Sequence, residues 1–270
     1  MAKIISIVNQ KGGVGKTTTA VNLSAAVGAL GKRVLLADVD PQGNSTSGYG
    51  ISKRDIQLTS YDMLINSTPA NSVVIKTDFL NVDIIPSNIN LAGAELDMAD
   101  MGNRESLLKN AIAQISENYD YVFFDCPPSL GLITLNALTA SCSFIVPIQC
   151  EFYALEGLSQ LMATVRKIKR LYNPLIDLEG VLLTMYDGRL NLTQQVVTEV
   201  KKFFPNKIYS ALIPRNVRLS EAPSFGQPVI YYDRGSKGAA AYIELAKELI
   251  GEDKENTVFA NRKEWDTNGG

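Results

Sequence analysis

The sequence predicts one α/β domain, a single doubly wound and mostly parallel sheet with helices on both faces. Three observations carry that reading. Short, nearly continuous apolar runs such as Val34-Leu35-Leu36-Ala37 recur along the chain, as strands buried on both faces of a parallel sheet do. Helical patterns lie between them. Leu23, Ala26, Val27 and Leu30 follow i, i+3, i+4, i+7 spacing, and Leu158, Leu161, Met162 and Val165 repeat it. The alternation persists over 270 residues that are 46% hydrophobic and 20% charged, enough for one domain with a real core.

Taken in order, the expected strands are Lys3–Val8, Arg33–Ala37, Val82–Ile85, Tyr121–Asp125, Phe144–Ile148, Gly180–Met185 and Ile208–Ile213. The stretch from Asn44 to Asn81 is polar and less regular, which suggests short helices and loops. Beyond Ile250 the chain turns polar and contains the only tryptophan, Trp265. Residues 1–250 are therefore read as the folded domain and 251–270 as a weakly ordered tail. No apolar run approaches the roughly 20 residues of a membrane span. Met1-Ala2-Lys3-Ile4-Ile5 leads straight into a strand-like run, without the pattern of a signal peptide, so the expected location is the cytoplasm.

Composition also excludes chemistry. The chain contains no histidine, which removes Ser-His-Asp triads, Cys-His dyads, histidine-ligated metals and any imidazole base. Cys126, Cys142 and Cys150 are odd in number and fit no zinc spacing; they read as small residues of a reducing compartment. The 26 basic and 28 acidic side chains nearly balance, so net charge does not announce a nucleic-acid binder and any such activity needs a local patch.

The most informative segment is Gln10-Lys11-Gly12-Gly13-Val14-Gly15-Lys16-Thr17-Thr18. It follows the first strand and opens the first helix, the context of a phosphate-binding loop. Glycines let successive amides cradle phosphate oxygens, and the helix N-terminus favours the anion. Lys16 would reach the β- and γ-phosphates of a nucleotide, and the Thr17 hydroxyl would ligate Mg²⁺. The usual first glycine is replaced by Gln10, and a second lysine, Lys11, stands inside the loop. A lysine there does not fold back easily onto its own phosphates, but it could reach nucleotide in a second subunit packed face to face.

Carboxylates end two further strands: Asp38 and Asp40 in Ala37-Asp38-Val39-Asp40-Pro41-Gln42-Gly43-Asn44, and Asp125 in Phe124-Asp125-Cys126-Pro127-Pro128. Ligands of open α/β sheets bind outside the carboxyl ends of the strands, so these acids are expected around the phosphate loop. Asp125 is the candidate to hold a metal-bound water, Asp38 to support the metal shell, and Asp40 to position the attacking water. The loops that follow Asp40 and Asp125 read as two nucleotide-sensing switches.

The loop resembles the deviant Walker A motif of the ParA/MinD superfamily. With Asp38–Thr46, Asp125–Gly131, Cys150–Gln160, Gly180–Tyr186 and Ile213–Tyr232 added, the chain resembles the ParA/Soj chromosome-partitioning ATPases over most of residues 1–250. The resemblance implies a P-loop ATPase with ATP on Lys11, Gly12, Gly13, Val14, Gly15, Lys16, Thr17 and Thr18, and adenine near Pro214 and Asn216. It implies an ATP-bound sandwich homodimer, with Gly12 at the interface and Lys11 acting on the partner's nucleotide. It further implies nonspecific double-stranded DNA binding through Arg189 and Arg218, nucleoid association, hydrolysis stimulated by a ParB/Spo0J centromere-binding protein, and an effect on the replication initiator DnaA. Arg166-Lys167-Ile168-Lys169-Arg170 is a second basic patch.

Two other readings share the ATP chemistry. A membrane-recruited MinD-like ATPase would need an amphipathic C-terminal helix, and the tail is thinly apolar and carries acids that anionic lipid repels; no stable membrane association is expected. A metabolic ATP-dependent enzyme would need a small-molecule acceptor site, which the sequence does not identify, and an iron–sulfur ATPase would need cluster cysteines, for which Cys126 has no convincing companion.

Overall fold

The computed structural model describes residues 2–151 and 154–251. Seven strands form one sheet: β1 (Lys3–Ile7), β2 (Val34–Asp38), β3 (Ile75–Lys76), β4 (Val82–Ile85), β5 (Tyr121–Asp125), β6 (Ser143–Gln149) and β7 (Asp177–Thr184). Their order across the sheet is β3-β4-β2-β5-β1-β6-β7. Every pairing is parallel except that of β3 with β4. The doubly wound α/β sheet that the sequence predicts is therefore present, with β3 as a two-residue antiparallel addition at one edge.

Alternation along the strands divides the core into two layers. Val34 and Leu36 of β2 face one side with Ile5, Ile7, Phe123 and Tyr242. Leu35 and Ala37 face the other with Phe124, Phe144 and Leu161. Helix Lys16–Ala29 (α1) and the Lys237–Ile250 helix cover the first side, and helices Leu132–Ala140, Ala154–Leu171 and Asn191–Phe203 cover the second. Residues 44–81 hold the short helices Asn44–Gly48, Ser60–Leu64 and Ala70–Val73 besides β3, as their irregular polarity suggests.

One expected strand is absent. Residues 208–213 run beside β7 but pair with it only through the isolated bridges Val181–Ile208 and, just beyond, Tyr186–Pro214. The ladder breaks because the Ser210 and Ala211 amides donate instead to the Glu248 carboxylate, at 2.9 to 3.1 Å. The segment rejoins β7 at Ile213, whose amide donates to the Leu183 carbonyl at 3.0 Å, and Pro214 removes a further donor.

Parallel register aligns the strand ends. Ile7 of β1 and Asp38 of β2 both pair with Asp125 of β5. The phosphate loop therefore leaves the sheet beside both strand-end carboxylates, on the edge where such folds bind ligands.

Candidate active site

Gly13 and Gly15 take positive φ, 74° and 88°, which lets the chain turn from β1 into α1 with its amides facing inward. Gly15 caps α1 without any side-chain hydrogen bond, so the first-turn amides remain open to an anion. The loop is anchored from β7, whose Thr184 hydroxyl donates to the Val14 carbonyl at 2.8 Å. A cavity of about 320 Å³ lies over the loop, lined by Gly12, Gly13, Lys16, Thr17, Asp40 and Pro128 among others. A second, of about 400 Å³, continues from Gly15, Thr18 and Met185 to Pro214, Asn216 and Tyr242. Gly15, Thr18 and Met185 line both, so the two form one path with a phosphate end and an apolar end. Met185 holds a left-handed backbone, φ 48°, a strained conformation of the kind that collects at ligand sites.

Lys16 is largely buried, and its ammonium donates to the Lys11 carbonyl at 2.9 Å. Burial lowers its pKa, while Asp125, Cys126 and Asp40 nearby act in the opposite direction. Lys11 points away from its own loop. Its ammonium pairs with Glu151 at 2.6 Å, and its amide donates to the Asn9 side chain.

The three acids have different surroundings. Asp38 is fully buried. One of its oxygens accepts both the Thr46 amide and the Thr46 hydroxyl at 2.8 Å, and the other accepts the Asp40 amide. Both oxygens are thus committed to the polypeptide, and Asp38 anchors the turn from β2 into the Asn44–Gly48 helix. Asp125 is also fully buried. Its Oδ2 accepts the Ser45 hydroxyl at 2.8 Å, the nearby Thr17 hydroxyl acts to lower its pKa, and Oδ1 has no hydrogen-bond partner. Burial raises the pKa of both acids, and each gains a further push from a neighbouring carboxylate, Asp125 for Asp38 and Asp40 for Asp125. Asp40 lines the phosphate cavity and accepts the Gln42 amide at 2.9 Å.

A buried, unpartnered carboxylate oxygen beside a threonine hydroxyl is the hard-oxygen setting that a Mg²⁺ ion retaining most of its waters would use. No cage of three or more acidic or cysteine side chains exists among the described residues.

Arg189 and Arg218 are exposed but not free. Arg189 makes a two-pronged pair with Asp187, at 2.8 and 2.6 Å. Arg218 bridges Glu221 at 2.8 Å and Asp233 at 3.1 Å. Sequence reasoning did not reach Ser45, Thr46, Thr184, Met185 or Glu151. The two hydroxyls were findable, since they directly follow the first switch; Thr184, Met185 and Glu151 become relevant only when β6 and β7 close on the loop.

Comparison with known proteins agrees with this geometry. An AAA domain family matches residues 2–178. The sporulation initiation inhibitor protein Soj of Bacillus subtilis is 56% identical over 92% of this chain and 98% of its own. The chromosome partitioning protein ParA of Myxococcus xanthus is 48% identical over 94% of this chain and 89% of its own. Among solved structures, a Mycobacterium smegmatis protein described as cobyrinic acid a,c-diamide synthase, with a bound ATP analogue and magnesium, superposes with a TM-score of 0.83 at 36% identity, covering 93% of this chain and 94% of its own. The Pyrococcus furiosus cell division ATPase MinD gives 0.77 at 28%, covering 93% and 99%. On identity extending over nearly the whole of these relatives, together with a phosphate loop that carries a second lysine, this chain belongs to the ParA/Soj family of chromosome-partitioning ATPases.

Proposed function

We propose that the chain is an ATP-operated DNA-binding switch whose active unit is a nucleotide-sandwich homodimer. The observation that carries this is the split between its two loop lysines. Lys16 lies within the phosphate cradle, whereas Lys11 turns out of it towards Glu151, available to a nucleotide other than its own. ATP occupies the joined cavities, with its phosphates on residues 11–18 and its base towards Pro214 and Asn216. Bound Mg²⁺ supplies charge neutralisation at the β- and γ-phosphates; Thr17 and the free oxygen of Asp125 are the residues to hold it. The M. smegmatis relative with its ATP analogue and magnesium supports the choice of ligands, ATP and Mg²⁺. Asp40, in the phosphate cavity and only partly engaged, orients the attacking water. Asp38 serves this site by holding Thr46 rather than by ligating metal.

Arg189 and Arg218 carry DNA phosphate contacts, doubled in the dimer and therefore strongly salt-dependent. A ParB/Spo0J-type partner accelerates hydrolysis and resets the switch, and the dimer also acts on DnaA. The names of the more similar relatives favour partitioning over a MinD-like membrane role. No helix among the described residues is long and apolar enough to cross a membrane, and the tail that would carry an amphipathic anchor lies outside them.

The test uses Asp40→Ala protein with ATP or ADP on nonspecific duplex DNA over a salt series. The expected result is no hydrolysis, a stable ATP dimer, and salt-sensitive binding with ATP only, lost in Arg189→Ala/Arg218→Ala. Normal hydrolysis by Asp40→Ala would remove that residue from its role, and absence of DNA binding in every nucleotide state would remove the DNA output.

A further inference from the structure

A further cavity shares no lining residue with the nucleotide path. It is a groove of about 590 Å³ between helices Ala154–Leu171 and Asn191–Phe203, lined by Leu158, Met162, Arg166, Glu199, Phe203 and Phe204. Phe203 is 67% exposed, an unusual state for a phenylalanine on the wall of an apolar groove. Arg166 lines the groove, and Lys167 and Arg170 follow it on the same helix. Arg166, Lys167 and Arg170 are exposed, and none is ion-paired among the described residues.

We propose that residues 252–270 of the same chain occupy this groove, with Phe259 and Trp265 as apolar anchors and the tail's acids against these three cations. Charge complementarity is the first argument. The segment carries five acidic residues, Glu252, Asp253, Glu255, Glu264 and Asp266, against three basic ones.

Reach is the second argument. Phe204 in the groove is six residues from Ser210, at most about 20 Å of extended chain. The Ser210 amide is hydrogen-bonded to Glu248 at 2.9 Å, and Glu248 lies three residues before Gly251, which caps the last helix. The tail therefore starts within about 30 Å of the groove, and the fourteen residues from Gly251 to Trp265 span about 45 Å when extended. Chemistry is the third. Val258, Phe259 and Trp265 are the tail's large apolar residues, and an apolar groove beside exposed cations is what such anchors fill.

Trp265 is the only tryptophan in the chain, so its fluorescence reports the tail without background. The experiment compares full-length protein with a synthetic peptide of residues 252–270. Emission in the full chain is expected to be blue-shifted, with acrylamide quenching several-fold weaker than in the peptide. Phe203→Asp and Arg166→Glu, both surface changes, should each return the signal towards that of the peptide while the circular dichroism spectrum stays unchanged. Peptide-like emission in the wild-type chain would overturn the proposal and leave the groove to a separate partner. Protection that survives both substitutions would place Trp265 elsewhere and also overturn it. Protection that disappears on dilution would assign the groove to the tail of a second copy, against the intramolecular reading.

Discussion

Asp38 shows how a site residue can act through the polypeptide rather than on the ligand. Its buried carboxylate holds the amide and hydroxyl of Thr46, and the Thr46 hydroxyl in turn accepts the Ser87 amide at 2.9 Å. Sequence position alone put Asp38 beside the metal, because a strand-end acid next to a phosphate loop reads the same whether it ligates or anchors. Burial and the nearby Asp125 raise its pKa. A carboxyl whose folded pKa is raised contributes stability that is full below the unfolded value of about 4 and is lost as pH rises through the folded one. The nucleotide-free wild type should therefore lose thermal stability as pH climbs from about 4 towards neutrality. Asp38→Asn, whatever its stability at a single pH, should reduce that dependence to the share that buried Asp125 contributes. Melting curves across pH without nucleotide check it, and parallel wild-type and variant curves would refute it.

Elements differ in how far local sequence determines them. The strands from β1 to β7, apart from the two-residue β3, were legible because each is a short apolar run bounded by polar residues. The phosphate loop was legible because its chemistry is contiguous. The stretch after β7 was not: Ile208–Ile213 has strand composition, but Glu248, nearly forty residues away, takes the Ala211 amide that a ladder to β7 would use, together with the Ser210 amide beside it. That carboxylate shapes the apolar wall of the nucleotide path, since Ile213, Pro214 and Asn216 follow directly and line it. Glu248→Ala removes the acceptor of the Ser210 and Ala211 amides, at about 1 kcal/mol of stability. It should also weaken ATP binding while leaving the phosphate loop itself intact. Calorimetric titration with ATP and with inorganic pyrophosphate separates the two: the ATP affinity should fall and the pyrophosphate affinity should hold. Equal losses would place the damage in the loop instead.

Across the whole molecule, two glycines distinguish what the fold requires from what assembly requires. Gly28, in α1, packs against the chain entering β4, and a methyl group there would stand 2.5 Å from the Leu80 carbonyl oxygen and 2.7 Å from Val82. Neither backbone nor strand can yield cheaply, so Gly28→Ala should cost about 1–3 kcal/mol through overpacking. Gly12 is the opposite case. It lines the mouth of the phosphate cavity, its φ is not in the left-handed region, and a methyl group there would meet nothing within 4 Å. Nothing in the isolated chain crowds that position, and in the sandwich dimer we propose, a second subunit seated over the two nucleotide sites is the surface that approaches it. Gly12→Val should accordingly keep the melting temperature and bind ATP as a monomer, yet fail to form the ATP dimer in sedimentation velocity on the Asp40→Ala background. It should also fail to bind DNA. A Gly12→Val protein that still dimerises with ATP would show that the two sites do not meet at this loop, and the role assigned to Lys11 would fall with it.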